Sequence, residues 1–208
     1  MFDLITSLVT NTGYVGIALL MLAENLFPPV PSELIMPLAG YTAATGKLSL
    51  VGVIIAGSLG SLVGQLPLYY VGKAVGKDRM KRWADKHGEW LAVSGEEIDQ
   101  ADKWFKDHGH KAVLFGRLVP GVRSLLSIPA GFAEMPLPKF LMYSAIGTTA
   151  WAGLLAYLGS LLGNNYEAVE RYVGPVTYVV LGGMLVWFVA RVIKRRREKH
   201  GKSHEAAA

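Results

Sequence analysis

Residues 48–72, 140–163 and 172–190 carry no charge at all. Each run is long enough to cross about 30 Å of hydrocarbon as a helix. Lipid offers the backbone no hydrogen-bond partners, so runs of this kind fold as helices that satisfy themselves. With 51% hydrophobic and only 18% charged residues, the chain is expected to be an all-α polytopic membrane protein rather than a soluble domain. It has no cysteine, which excludes disulfides, thiolate catalysis and cysteine metal ligands. The start, "MFDLITSLVT", lacks a basic n-region and no small-residue cleavage site follows, so the chain is expected to insert whole.

Basic residues set the orientation. Lys73, Lys77, Arg79, Lys81, Arg82, Lys86, Lys103 and Lys106 crowd the central connection, and Arg191, Lys194, Arg195, Arg196, Arg197 and Lys199 crowd the tail. The other connections carry little beyond Lys47 and Arg171. The positive-inside rule then places the N-terminus outside and the central loop and C-terminus in the cytoplasm. Acidic residues are mixed through the central loop, so the net charge of +5 reflects topology and no nucleic-acid partner is expected.

The stretch 13–46 does not fit an ordinary span. Glu24 and Glu33 flank Pro28, Pro29 and Pro31, and the prolines break any helix they enter. A related stretch lies downstream: "PPVPSELIMPLAGY" (28–41) aligns without gaps on "VPGVRSLLSIPAGF" (119–132), matching Pro29 to Pro120, Leu34 to Leu125, Ala39 to Ala130 and Gly40 to Gly131. An amphipathic segment precedes each copy, with Phe2, Ile5 and Leu8 in one and Ile98, Ala101, Trp104 and Phe105 in the other; the second opens on a capping box, Ser94 to Glu97. An uncharged helix follows each copy.

These features predict an inverted repeat, because one full span per unit starts the two copies on opposite sides of the membrane. Each unit is an amphipathic helix, a re-entrant hairpin and a transmembrane helix. The first covers 1–72, with its hairpin at 13–46 and its span at 48–72; a cytoplasmic amphipathic connector covers 73–110. The second covers 111–163, with its hairpin at 111–136 and its span at 138–163. A C-terminal transmembrane helix (172–193) and a basic tail (194–208) complete the chain. Broken backbone at membrane depth must be buried in protein or line a wet cavity, so the tips Pro28, Pro29, Pro31, Pro120 and Gly121 are expected to meet near the midplane. The competing reading makes 4–23 an ordinary span and the prolines an external loop.

Meeting tips would bring Glu24 and Glu33 together with Arg117 and Arg123. The bare residues leave two roles open: the four charges neutralise one another, or they bind something charged. Paired arginines form a fork for phosphate oxygens, and a buried glutamate can carry protons.

"ENLFPPVPSE" followed by "FGRLVPGVRSLLSIPAG" resembles the DedA family, the bacterial branch of the SNARE-associated or VTT-domain membrane proteins, over residues 10–190. The resemblance implies lipid translocation in the bacterial inner membrane. Members are linked to returning undecaprenyl phosphate, the carrier of cell-wall sugars, and others to phospholipid flipping, often with proton dependence. It also implies that the acidic pair, Glu24 and Glu33, and the arginine pair, Arg117 and Arg123, are the functional residues. The chain carries Glu at position 33 where many members carry Asp, so the lipid, undecaprenyl phosphate or a phospholipid such as phosphatidylethanolamine, stays open.

The expected site therefore has Arg117 and Arg123 on the phosphate head group, Glu24 and Glu33 as proton-coupling counter-ions, and Asn25, Gln65, Tyr69 and Ser124 lining the cavity. Pro67 reads as a kink, and Gly57, Gly60 and Gly64 as a close-packing face that permits a homodimer. His108 and His110 point to different helix faces without a third ligand, so neither metal nor cofactor is expected. Lipid hydrolysis needs a nucleophile or base beside the arginines, and every histidine lies away from the tips. A non-transporting membrane-homeostasis or assembly factor is the remaining alternative.

Overall fold

The structure is a computed structural model that describes residues 2–26, 32–91, 94–119, 123–161 and 182. The hairpin tips Pro28, Pro29, Pro31, Pro120 and Gly121, the C-terminal span at 172–193 and the tail lie outside the described residues. Within them the secondary structure is entirely helical: α1 (Phe2–Leu26), α2 (Ser32–Ala44), α3 (Leu50–Leu91), α4 (Gly95–Gly116), α5 (Ser127–Phe132) and α6 (Leu137–Leu161).

Three helices are long and apolar enough to cross a membrane: Ser7–Leu26, Leu50–Lys86 and Leu137–Leu161. The first was expected to be only the arm of a hairpin. It is continuous by hydrogen bonding, yet Gly13 interrupts it with φ 56°, ψ −128°, a backbone state closed to residues with a Cβ. The part after the break, Tyr14–Leu26, reaches about 20 Å at the helical rise.

Lipid-facing stripes are plain on the other two. Val51, Ile55, Leu59 and Val63 of α3 are exposed every fourth residue, as are Met142, Ile146, Leu154 and Leu158 along α6. Opposite faces are buried. Ile17 and Met21 of α1, Met36 and Leu38 of α2, Val53 of α3 and Ala152 and Ala156 of α6 form one core cluster. Tyr69, Phe105, Val113, Ala130 and Phe140 form a second.

Glycines let backbones touch between the two halves of the chain. Gly40 of α2 lies on the Ala156 carbonyl oxygen of α6, and Gly159 of α6 lies on the Pro37 carbonyl oxygen of α2; a Cβ at either position would overlap that oxygen. Gly131 of α5 lies likewise on the Tyr69 carbonyl oxygen of α3, and Gly72 of α3 on that of Ile128 in α5. Each short helix thus packs on the long helix of the opposite half. One shift in numbering relates 37 and 40 to 128 and 131, and a second relates 69 and 72 to 156 and 159. The second shift also relates Gly60, on the Ala18 carbonyl, to Gly147, on the Leu114 carbonyl.

Residues 73–91 follow the uncharged run within α3, across a non-helical kink at Gly76 (φ 70°, ψ 163°), and α4 runs through residue 111 to Gly116.

The capping box is present: Ser94 accepts from the Glu97 N–H at 3.3 Å, and the Glu97 carboxylate accepts from the Ser94 N–H at 3.1 Å. Ions tie α4 to the end of α3. Lys77 bonds Asp102 at 2.7 Å and Asp99 at 3.1 Å, Lys106 bonds Asp102 at 2.9 Å, and Lys81 bonds Asp99. Burial pushes the Asp102 carboxyl up, but the two ammonium groups outweigh it and hold it below the usual carboxylate value.

Candidate functional site

Glu24 lies in the last turn of α1, and Arg123 in the turn that leads into α5. Both are buried, at 6% and 5% exposure, and they form an ion pair between Oε1 and Nη2. This pair joins the two proline-containing segments across the molecule. Two facing pairs were expected, and the described residues contain one. Glu33, in the first turn of α2, is half-buried and has no ion pair among the described residues. It is close enough to Glu24 for their charges to repel.

Arg117 caps the C-terminus of α4 and is 1% exposed. Its Nη1 donates to the Arg123 carbonyl oxygen, and its Nη2 donates to Ser127 Oγ and Ser144 Oγ, each at 3.1 Å. The guanidinium lies 5.4 Å from the centroid of the Phe140 ring, a favourable place for a cation. Its Nε–H has no hydrogen-bond partner among the described residues, and no described carboxylate is within ion-pair distance. Among the described residues, the buried ions of this site are therefore two guanidiniums and one carboxylate, and Arg117 has no carboxylate partner there.

A second set of polar groups links α1, α3 and α6. Asn25 Nδ2 donates to the Met21 carbonyl at 2.8 Å and to Ser61 Oγ at 2.9 Å, with Glu24 Oε2 farther off at 3.5 Å. Gln65 Nε2 donates to Ser61 Oγ at 3.1 Å and to Thr148 Oγ1 at 3.2 Å. Thr148 and Ser144 are one turn apart on α6 and share a face. Hydrogen bonds and the ion pair run from Ser144 through Arg117, Arg123, Glu24, Asn25, Ser61 and Gln65 to Thr148, and the helical turn of α6 between Thr148 and Ser144 closes this path into a ring. All eight members are over 90% buried, and Gln65 Oε1 and Arg117 Nε are its two buried atoms without a partner among the described residues.

Of the expected lining residues, Asn25 and Gln65 are members of this ring. Ser124 is buried beside Arg123. Tyr69 is spent elsewhere: its hydroxyl donates to the Met135 carbonyl at 2.6 Å, and its ring stacks on Phe140, 4.7 Å between centroids. Tyr69 thus braces the aromatic floor under Arg117. Sequence reasoning did not single out Ser61, Ser127 or Ser144. The available signal was hydroxyls at helical spacing, Ser58, Ser61 and Gln65 on α3 and Ser144 and Thr148 on α6, inside otherwise apolar helices.

Residues 30–161 match the family model described as the VTT domain. The chain belongs to the VTT-domain (DedA) family. It is 35% identical to the undecaprenyl phosphate transporter A of Staphylococcus aureus (strain NCTC 8325 / PS 47), covering 96% of this chain and 100% of that protein. It is 34% identical to the undecaprenyl phosphate transporter A of Bacillus subtilis (strain 168), over 90% and 91% of the two chains. A Lactococcus lactis subsp. lactis (strain IL1403) protein named alkaline phosphatase-like is 35% identical over 99% of this chain and 98% of its own length. No solved structure matches significantly. This VTT-domain chain is a multi-pass bacterial membrane protein.

Proposed function

We propose that this chain carries a phosphate-bearing lipid, undecaprenyl phosphate, across the bacterial inner membrane, with its N-terminus outside and its C-terminus in the cytoplasm. The observation that carries the reading is the uncompensated Arg117 beside the Glu24–Arg123 pair. An unpaired buried ion is costly. An anion with forked oxygens is its natural complement. The names of the Staphylococcus and Bacillus relatives support undecaprenyl phosphate as that anion.

The alternating numbering shifts of the glycine contacts support an inverted repeat, in which α1, α2 and α3 correspond to α4, α5 and α6. The break at Gly13 and the 13 residues of α2 support a re-entrant first hairpin, since neither arm alone reaches across hydrocarbon. Rocking of one unit against the other would open the ring to each side in turn.

Glu24 occupies in the resting state the place on Arg123 that a phosphate oxygen takes in the loaded state. A monoanion neutralises Arg117 and needs nothing further. A dianion exceeds that charge by one, and the displaced Glu24 carboxylate is the protein group that accepts the balancing proton. The proton leaves when the phosphate does. Hydrolysis is disfavoured, because Glu24 is bound to Arg123 while His108 and His110 are exposed on α4.

The test is flipping of labelled undecaprenyl phosphate and labelled phosphatidylethanolamine in vesicles containing the purified chain. Undecaprenyl phosphate should cross faster, and Arg117→Lys, which keeps charge but loses the fork, should slow it strongly. Equal rates for the two lipids, or an unaffected Lys variant, would overturn the reading.

A further inference from the structure

The ring has two unpartnered atoms of opposite kind, the acceptor Gln65 Oε1 and the donor Arg117 Nε–H, and one uncompensated positive charge. Gln65 is 2% exposed and Arg117 1%, so neither atom turns to bulk water. The orientation of the Gln65 amide follows from its partners. As placed, Nε2 uses both hydrogens on Ser61 and Thr148 and leaves one acceptor over; the flipped amide would leave two donors over, a larger penalty.

A group that satisfies the ring must bring one negative charge, an oxygen that accepts from Arg117, and a hydrogen that Gln65 Oε1 can accept. One tetrahedral group carries all three: the monoanion of a phosphate monoester, with P–O⁻ and P–O–H on the same phosphorus. A phosphate diester brings the charge and the accepting oxygens but no P–O–H. Against a diester, the Gln65 carbonyl stays desolvated and unpaired, and a buried acceptor left in that state is penalised.

We propose that Gln65 selects phosphate monoesters over diesters, its Oε1 accepting the P–O–H hydrogen of a monoanionic phosphate held by Arg117. This rests on the transporter reading and takes its monoanion case, in which the proton rests on the phosphate and Glu24 stays ionised. Ser61 and Thr148 are positioning residues, because they hold the amide that does the reading. They come from equivalent places in the two halves, related by the same numbering shift as Gly72 and Gly159. Gln65 therefore bridges the two units where they meet.

The experiment compares binding of undecaprenyl phosphate, its O-methyl ester and inorganic phosphate to the full chain in detergent micelles, for wild type, Gln65→Leu and Thr148→Val. Wild type should prefer the monoester to its methyl ester by at least about tenfold, the scale of one buried hydrogen bond and its lost solvation. Gln65→Leu should bring the ratio close to one. Thr148→Val, close to isosteric and milder for folding, should lower it by freeing the amide. A residue that only fills space would leave this ratio unchanged, so an unchanged ratio in both variants, or a wild-type ratio near one, overturns the proposal. If wild type binds neither lipid, the transporter reading falls and this proposal with it. If inorganic phosphate competes on equal terms with undecaprenyl phosphate while the Gln65 effect persists, monoester selection stands and the lipid assignment fails.

Discussion

Replacing Glu24 by Gln removes one member of a buried ion pair and leaves its size nearly unchanged. The remaining ions are then the guanidiniums of Arg117 and Arg123, with Arg117 Nη1 donating to the Arg123 backbone carbonyl oxygen. Breaking a buried pair from one side costs about 3–5 kcal/mol, and the exposures of 6% and 5% place this pair at the buried limit rather than the screened one. Arg123→Gln is the asymmetric control. It leaves a carboxyl that can take up a proton and persist as a neutral group, so its cost should be smaller and should shrink further as pH is lowered. In the double variant no buried charge is orphaned at this position, and most of the loss should return, a coupling of about 3 kcal/mol.

The assay is equilibrium unfolding of the four proteins in mixed micelles of increasing denaturing detergent, followed by circular dichroism at two pH values. Additive losses, or a Glu24→Gln variant within about 0.5 kcal/mol of wild type, would refute the placement of the pair in the buried interior. So would an Arg123→Gln variant that is the more damaged of the two at acid pH.

Three further outcomes are expected. Gly131→Ala and Gly40→Ala drive a methyl group into the Tyr69 and Ala156 carbonyl oxygens and should each cost at least about 1–3 kcal/mol in the same unfolding assay. Gly76→Ala meets nothing within 4 Å, yet at φ 70°, ψ 163° it should still cost about 1–3 kcal/mol through backbone strain, and Gly76→Asn should be no milder, because Asn tolerates the left-handed helical region and not this one. Asp102→Asn tests the cytoplasmic ion cluster by acid titration. The folded Asp102 carboxyl lies below its ordinary value of about 3.8, so its stabilisation is fully present above that pH and is lost as pH falls through the folded value; the wild-type advantage over Asp102→Asn should be constant above about pH 4 and decline below it.

The sequence made the ions of the site legible because charge inside apolar helices is conspicuous. Glu24, Arg117 and Arg123 announce themselves, whereas the choice of which arginine meets which glutamate depends on where two broken segments touch. Glu24 and Arg123 are separated by 99 positions, and no local pattern encodes that contact. The kink at Gly76 was less legible: Lys73 marks the end of the uncharged run, but charge limits lipid exposure, not helical geometry, and good helix formers resume the helix beyond the kink.

Gln65 was legible only as an interruption of an apolar run. Its meaning depends on Thr148, 83 positions away, and that partner is the counterpart of its neighbour Ser61 in the other half. The same dependence runs through the glycines. Gly40 and Gly131 align in the repeat, but each touches the long helix of the opposite half rather than its own. The alignment of these segments is visible along the chain while such contacts are not, because these two glycines find their partners in the opposite half. The physical consequence reaches the site. Contacts that join the halves are the ones any relative motion of the halves must strain or exchange, and the hydrogen bonds of Gln65, like the Glu24–Arg123 pair, lie on that boundary. In the proposed transporter, a ligand that satisfies Gln65 Oε1 and Arg117 Nε would therefore alter the balance of forces where the two halves of the chain meet, which is where a change of access would be decided.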